Sequence, residues 1–93
     1  MSEFDWDEAN ISHIARHDVT PLEVEELFER NPIELPDNPV GGEERLTAYG
    51  ITAQGRFLTV PYTERNGKVR PIKAWDMTKQ ERNDYGTEIL ENL

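Results

Sequence analysis

The sequence of 93 residues contains no cysteine, which excludes disulfide bonds and thiolate metal or redox sites. It also lacks an apolar run near the roughly 18 residues that a membrane-spanning helix requires, and its acidic N-terminus is unlike a signal peptide. We therefore expect a protein of a reducing compartment such as the cytoplasm, without a membrane segment. Apolar residues make up 35% of the chain, which predicts one small domain over residues 1–93 with no large ligand cavity.

Basic residues are scarce outside the middle of the chain, whose net charge is −9. Residues 1–44 contain 13 acids and 2 bases, residues 45–73 contain 6 bases and 1 acid, and residues 74–93 contain 5 acids and 2 bases. An acidic chain with a basic middle indicates a local anion site rather than a general polyanion binder. The alternative is that these basic side chains are simply solvated on the surface of strands.

Capping residues predict the starts of three helices. Asp7 can cap the first helix, and Thr20 forms a capping box with Glu23 at the start of the second. A further capping box, Thr78 with Glu81, predicts a C-terminal helix. The predicted helices cover residues 8–17, residues 21–30 and the residues after Thr78.

Strands are expected between the second and third helices. Turn residues divide this region into three main strands at about residues 45–52, 56–64 and 68–76, and the proline- and glycine-containing residues 36–44 are predicted to form a loop. Matching side chains across the strands pairs Ala48 with Val60 and, through a three-residue loop, Glu64 with Lys68. We thus predict the α+β class, with two N-terminal helices, a twisted antiparallel sheet of three main strands, and a C-terminal helix.

The predicted registers divide the side chains of the sheet between two faces. One face should form the core beneath the helices, with Leu46, Ala48, Gly50, Leu58, Val60, Tyr62, Ile72 and Ala74. The other face mixes polar, basic and aromatic side chains, among them Arg45, Tyr49, Phe57, Val69, Lys73 and Trp75. An open mixed face is typical of a surface that binds a partner or a second copy of the chain. The alternative is that the N-terminal segment covers it.

Several short motifs follow one another in an order and spacing that resembles a known family. They are Phe4-Asp5-Trp6-Asp7 with Asn10, His17 with Val19, Glu44-Arg45 with Gly50, Tyr62-Thr63-Glu64-Arg65, Arg70 with Ile72 and Ala74, and Glu81-Arg82 with Tyr85. In this order they are similar to the BrnT-type toxins of bacterial type II toxin–antitoxin pairs, which are small ribonucleases with a RelE-like fold. That family usually has Ser-Ala-Arg on the last strand, where this chain has Lys73-Ala74-Trp75.

The resemblance implies a toxin that acts as a metal-independent endoribonuclease on RNA, with no cofactor. It also implies a protein partner, a BrnA-like ribbon–helix–helix antitoxin. Two alternatives stay open: a non-catalytic relative that keeps the fold and the partner surface, and a binding or regulatory domain without an antitoxin. A homodimer through the mixed face is a further expectation.

The candidate site residues lie mainly in the basic middle. Cleavage of RNA through its 2′-hydroxyl requires proton transfer and positive charge at the phosphate, and the resemblance adds that RelE-type enzymes often use arginine, lysine and tyrosine for this. We therefore assign Arg45, Lys73 and Tyr49 as catalytic. The predicted RNA-binding residues are Trp75, as a base-stacking platform, and Arg56, Arg65 and Arg70. The alternatives are a protein-binding surface and, for Arg70, a structural ion pair.

The two histidines have a spacing that is compatible with metal binding. His13 and His17 are four residues apart on the first predicted helix, but no third ligand is evident, and we predict no metal site. The position of His17 near the end of the helix is explained by the helix dipole. Structural roles are therefore predicted for both.

Overall fold

The computed structural model describes residues 3–93, so the predicted start of the domain at residue 1 lies outside the described residues. The elements are α1 (Glu8–Ala15), α2 (Pro21–Glu29), β1 (Ile33–Val40), β2 (Glu43–Ile51), β3 (Phe57–Arg65), β4 (Lys68–Pro71), β5 (Trp75–Asp76) and α3 (Lys79–Glu91). The strands form an antiparallel sheet in the order β1-β2-β3-β4, and β5 also pairs with β3. The predicted α+β class is confirmed. No helix in this described part of the chain is long and apolar enough to cross a membrane.

All three predicted helix starts are confirmed. The side chains of Asp7, Thr20 and Thr78 each accept a hydrogen bond from the backbone N–H three residues later. The side chain at that later position accepts a hydrogen bond from the backbone N–H of the capping residue in return. These reciprocal bonds satisfy backbone donors that the first helical turn leaves without intrahelical partners.

The prediction of a loop over residues 36–44 is wrong, because most of these residues belong to β1 and its hairpin with β2. Gly41 and Gly42 form the turn with positive φ angles of 60° and 79°, which glycine adopts without a steric penalty. Pro36 and Pro39 lie on β1, the outermost strand of the sheet. An edge strand tolerates proline because only one side of its backbone has a ladder partner.

The two hairpins around β3 differ in how well the sequence predicts them. Between β2 and β3 the predicted register is confirmed, since Ala48 pairs with Val60 and the Thr52 N–H donates to the Arg56 carbonyl at 2.9 Å. Between β3 and β4 the predicted register is wrong, because Lys68 pairs with Arg65 and not with Glu64. The whole of β4 is therefore shifted by one residue from the prediction.

The turn itself explains this shift. Asn66 and Gly67 both have positive φ, 52° and 76°, as in the two-residue turns whose twist matches that of the flanking strands. The sequence favours the three-residue loop because it keeps Arg65 and Lys68 apart and sets Val60 opposite Ile72. Both cations are about half exposed, at 51% and 48%, so solvent screens their repulsion. The geometric preference of the turn therefore outweighs the repulsion between the two cations.

A shift of one residue exchanges the two faces of a strand. Val69, predicted on the open face, is buried in the core with Phe4 packed against the same cluster. In the predicted register Arg70 lies on the same face as the core residues Ile72 and Ala74, but in the structure it pairs with Thr63 and points to the other face. The register shifts again before β5, where Thr59 pairs with Trp75, so the predicted pairings of Ile72 with Val60 and of Ala74 with Leu58 are also wrong.

Hydrophobic clusters lie on both faces of the sheet. The larger cluster contains the predicted core residues Leu58 and Val60, both fully buried, beneath Ile14 and Leu27 of the first two helices. Gly50 allows this packing, because a Cβ at its position would lie 2.7 Å from Leu27 Cγ.

The second cluster corrects the prediction of an open mixed face. It joins Ile51 and Met77 to Ile89 of α3, with Tyr49 and Phe57 packed against it. The apolar side chains at one end of that face are sufficient to hold the C-terminal helix. The remaining part of the face, towards β4 and the hairpin turns, contains the cleft described next.

Candidate functional site

A cleft of about 200 Å³ lies between α1 and the strand ends near the two hairpin turns. It is lined by Ala9, Asn10 and His13 of α1, Glu43 and Arg45 of β2, Thr63 and Arg65 of β3, Arg70 and Pro71 of β4, and Ile72. The arginines at positions 45, 65 and 70 therefore meet in one cleft although they come from three different strands. All three are predicted from the sequence to cleave or bind RNA.

Arg70 is held in place by two carboxylates. Its guanidinium lies 2.9 Å from Asp7 Oδ2 and 3.5 Å from Asp5 Oδ1, and its side chain is 15% exposed. Asp7 is also the cap of α1, and the pKa of its carboxyl is lowered first by the backbone N–H of Asn10 and then by Arg70. The ion pair expected for Arg70 thus joins β4 to the start of α1.

Arg65 makes a looser ion pair at the hairpin ends. Its Nη2 lies 3.6 Å from Oε2 of Glu43, and both side chains are substantially exposed. An exposed pair at this distance contributes little stability and is easily exchanged for another anion.

Arg45 is the least neutralised of the three arginines. Its Nε is buried and has no hydrogen-bond partner among residues 3–93. A buried donor without an acceptor typically costs about 1–3 kcal/mol. The side chain also lines a second cleft of about 280 Å³ with Pro36, Asp37, Pro39, Glu44 and Leu46.

His13 forms part of the α1 side of the cleft, next to Ile72. Burial lowers its pKa from the ordinary value of 6.5, and the positive charges of Arg16 and Lys73 lower it further. The sequence alone predicts a structural role for His13. The missed signal is its position three residues after Asn10, on the helix face that packs against β4.

Lys73 lies just beyond Ile72, with its side chain exposed and its charge acting on His13. The predicted cation at position 73 is therefore beside the arginine cleft. Lys73 follows directly on Ile72, which lines the cleft, but Lys73 is not itself one of the lining residues.

Tyr49 and Trp75 lie instead beneath α3. The ring of Tyr49 stacks on that of Tyr85 with centroids 4.1 Å apart, and burial raises the pKa of Tyr49 to about 12. Trp75 Nε1 donates to Glu81 at 3.3 Å, and the Thr59 hydroxyl donates to the same carboxylate oxygen. The structure separates these two predicted site residues from the arginine cleft.

Arg56 lies at a third location, where its guanidinium is fully engaged. Its five N–H donors reach carboxylates of Glu23 and Asp76 and the backbone carbonyls of His17 and Asp18. The pKa of Arg56 is raised, chiefly by the hydrogen bond to Asp76. These contacts favour a structural clamp, and RNA binding by Arg56 stays a prediction. Among the described residues, no group of three or more His, Asp or Glu side chains is arranged to hold a metal ion.

Comparison with known proteins agrees with the resemblance in the motifs. The family model described as the ribonuclease toxin, BrnT, of type II toxin–antitoxin systems matches residues 6–81. That range includes every residue that lines the arginine cleft. No curated protein matches the chain at a significant level. Because the family model covers most of its length, the chain belongs to the BrnT family of ribonuclease toxins from type II toxin–antitoxin systems.

Proposed function

We propose that this ribonuclease toxin cleaves RNA in the cleft between α1 and the hairpin ends, with Arg45, Arg70 and Lys73 holding the scissile phosphate. The observation that carries the proposal is the convergence of three arginines from three strands on one cleft, in a chain whose net charge is −9. A cluster of cations is unexpected in an acidic protein, and an anionic substrate would explain it.

RNA carries its own nucleophile, so the proposed reaction makes modest demands on the protein. The 2′-oxygen attacks the adjacent phosphorus, the bond to the 5′-oxygen breaks, and the products are a 2′,3′-cyclic phosphate and a 5′-hydroxyl. The cleft would supply positive charge to the phosphorane-like transition state and a group to accept the 2′-hydroxyl proton. This reaction requires neither a metal ion nor an organic cofactor.

The carboxylates around the cleft would limit its affinity for RNA. Arg70 is paired with Asp5 and Asp7, and Arg65 with Glu43, so an RNA phosphate has to compete with groups already in place. Attraction by the cleft acts only over about 8 Å at physiological salt. Binding should therefore be modest and should weaken steeply as salt rises.

The role of the aromatic residues follows from the position of α3. Tyr49 and Trp75 are both in contact with α3, which leaves their side chains only partly exposed to a substrate. We therefore place the reacting phosphate beside Arg45 and Lys73 and give Tyr49 and Trp75 a supporting role in positioning α3.

Membership of a type II toxin–antitoxin family implies an antitoxin protein as partner. We propose that this partner is a BrnA-like ribbon–helix–helix protein and that the pair acts in the cytoplasm, where the RNA substrates are. A homodimer through the predicted open face loses its main argument, because α3 packs on that face.

Expression of the chain alone in a bacterial host tests the proposal in cells. The wild type should arrest growth and fragment cellular RNA, whereas Arg45→Ala and Lys73→Ala should do so much less. Lys79→Ala is the matched control, because Lys79 is also an exposed lysine but lies at the start of α3. Normal growth and intact RNA with the well-expressed wild type would support the alternative of a non-catalytic relative.

A further inference from the structure

We propose that His13 accepts the 2′-hydroxyl proton during RNA cleavage in the arginine cleft. This inference rests on the proposed function and adds a catalytic residue to it. His13 forms part of the wall that α1 contributes, and Arg45 and Arg65 lie on strands that form other walls of the same cleft.

The position of His13 is fixed by the residue three places before it. The side-chain amide of Asn10, which is 4% exposed, donates to the Pro71 carbonyl at 3.0 Å and to the Asp5 carbonyl at 2.9 Å. These bonds hold one face of α1 against β4. Residues three apart lie on the same face of a helix, so His13 is held towards the same wall and a substrate would meet a pre-positioned imidazole.

The charges around His13 favour the neutral imidazole that a proton acceptor requires. Arg16 and His17 lie on the same helical segment, Lys73 follows β4, and the cleft adds three arginines together with the carboxylate of Glu43. Burial and the neighbouring cations lower the pKa of His13, and a hydrogen bond to the Ile72 backbone opposes the change only in part. His13 is therefore mainly neutral at neutral pH.

Other titratable side chains suit this role less well. Tyr49 is stacked beneath α3, and its pKa of about 12 makes it a poor proton acceptor near neutral pH. Glu43 lines the cleft, but it is paired with Arg65. His13 takes part in none of the three ion pairs that Arg65 and Arg70 make and lines the same cleft as these cations.

The proton and electron movements balance without a further reactant. The proton of the 2′-hydroxyl moves to the His13 imidazole as the bond from the 2′-oxygen to phosphorus forms. The bond from phosphorus to the 5′-oxygen breaks, and this oxygen takes a proton from solvent. His13 then returns its proton to solvent, which leaves the 2′,3′-cyclic phosphate and the 5′-hydroxyl.

The test measures single-turnover cleavage of a short RNA by the purified full chain across pH 4.5 to 9. His13→Ala and His13→Gln are compared with the wild type, and His17→Ala is the matched control because His17 lies one turn further along, outside the lining of the cleft. We expect both His13 variants to cleave about 100-fold more slowly at pH 7. Their RNA affinity should stay within about threefold of the wild type. Their cleavage rate should no longer fall on the acid side of the pH–rate profile. Added imidazole should restore part of the rate of His13→Ala.

Each other outcome has a defined meaning. His13 variants that cleave within about threefold of the wild type, with an unchanged pH profile, overturn the inference. Slow cleavage in which both variants also lose their cooperative thermal unfolding overturns it too, since His13 is then structural. A wild type without cleavage, or cleavage insensitive to Arg45→Ala, refutes the proposed function itself, whereas an effect of Arg45→Ala without an effect of His13 substitution refutes only the role of His13.

Discussion

Glu43 and Arg65 join the two hairpin ends at the arginine cleft, with 3.6 Å between Oε2 and Nη2. Both side chains line the cleft, so Glu43 occupies a cation that the proposed substrate would use. The carboxylate of Glu43 also repels a phosphate directly. The pair therefore acts against RNA binding while contributing little to the fold, because both partners are substantially exposed.

Replacing Glu43 with Gln should strengthen RNA binding. Removing one exposed carboxylate from the cleft is expected to lower the Kd for a short RNA about two- to fivefold at low salt. The effect should disappear at high salt, because screening removes long-range attraction and repulsion alike. Fluorescence anisotropy at several salt concentrations measures this, with Glu88→Gln on α3 as the control. An unchanged Kd at low salt would show that Glu43 does not oppose the substrate.

Replacing Arg56 with Ala should destabilise the fold and leave RNA binding unchanged. The guanidinium joins Glu23, Asp76 and two backbone carbonyls at the end of α1. Loss of these charge-assisted hydrogen bonds is expected to lower the free energy of unfolding by about 2–3 kcal/mol. Urea unfolding and RNA anisotropy provide the two measurements. A stable variant with weakened RNA binding would instead support the RNA-binding role predicted from the sequence.

The pair of Arg56 and Asp76 should also make stability depend on pH. The pKa of Asp76 is lowered from 3.8, first of all by its hydrogen bond from Arg56. A carboxyl whose pKa is lower in the folded state stabilises the fold above its unfolded-state pKa. That contribution is lost as the pH falls through the folded-state pKa. Urea midpoints should therefore decrease below about pH 4, and Asp76→Asn should reduce this decrease. An identical acid dependence in the variant would contradict the assignment.

Tyr49→Phe separates the sequence-based assignment of Tyr49 from its position in the structure. Stacking on Tyr85 depends on the ring, and loss of the hydroxyl removes one hydrogen bond to Tyr85, so the phenylalanine variant should lose about 1 kcal/mol of stability and cleave RNA within about twofold of the wild type. Direct proton transfer by the hydroxyl would instead predict a loss of about 100-fold or more. Single-turnover kinetics at neutral pH distinguish the two.

Helix starts could be predicted because capping is local. Each capping box lies within four residues, and no distant contact is needed to complete it. The pairing of Ala48 with Val60 could also be predicted, because apolar side chains on both strands leave one register that buries them together. The register of β4 could not, since the twist of the Asn66-Gly67 turn outweighs a repulsion between two exposed cations.

The sequence predicts the three arginines of the cleft, but neither its shape nor its other lining residues. Arg45, Arg65 and Lys73 are predicted from their charge and from the family resemblance, whereas the sequence places Arg70 on the wrong face of the sheet. The docking of α3 on Tyr49 and Phe57 could not be predicted, because the sequence pattern does not show which face of a mixed sheet the last helix covers. His13 was missed for a related reason, because its role depends on the packing of α1 against β4, which Asn10 establishes over 61 positions of sequence.

The most direct test of the account is cleavage of a defined RNA by the purified chain at low salt, with the wild type beside Arg45→Ala and Lys79→Ala. The account predicts products that end in a 2′,3′-cyclic phosphate and a 5′-hydroxyl, with the rate of Arg45→Ala lower by about 10²–10³-fold and that of Lys79→Ala unchanged. Absence of these products with the folded wild type, or an equal rate for Arg45→Ala, would contradict the claim that this cleft cleaves RNA.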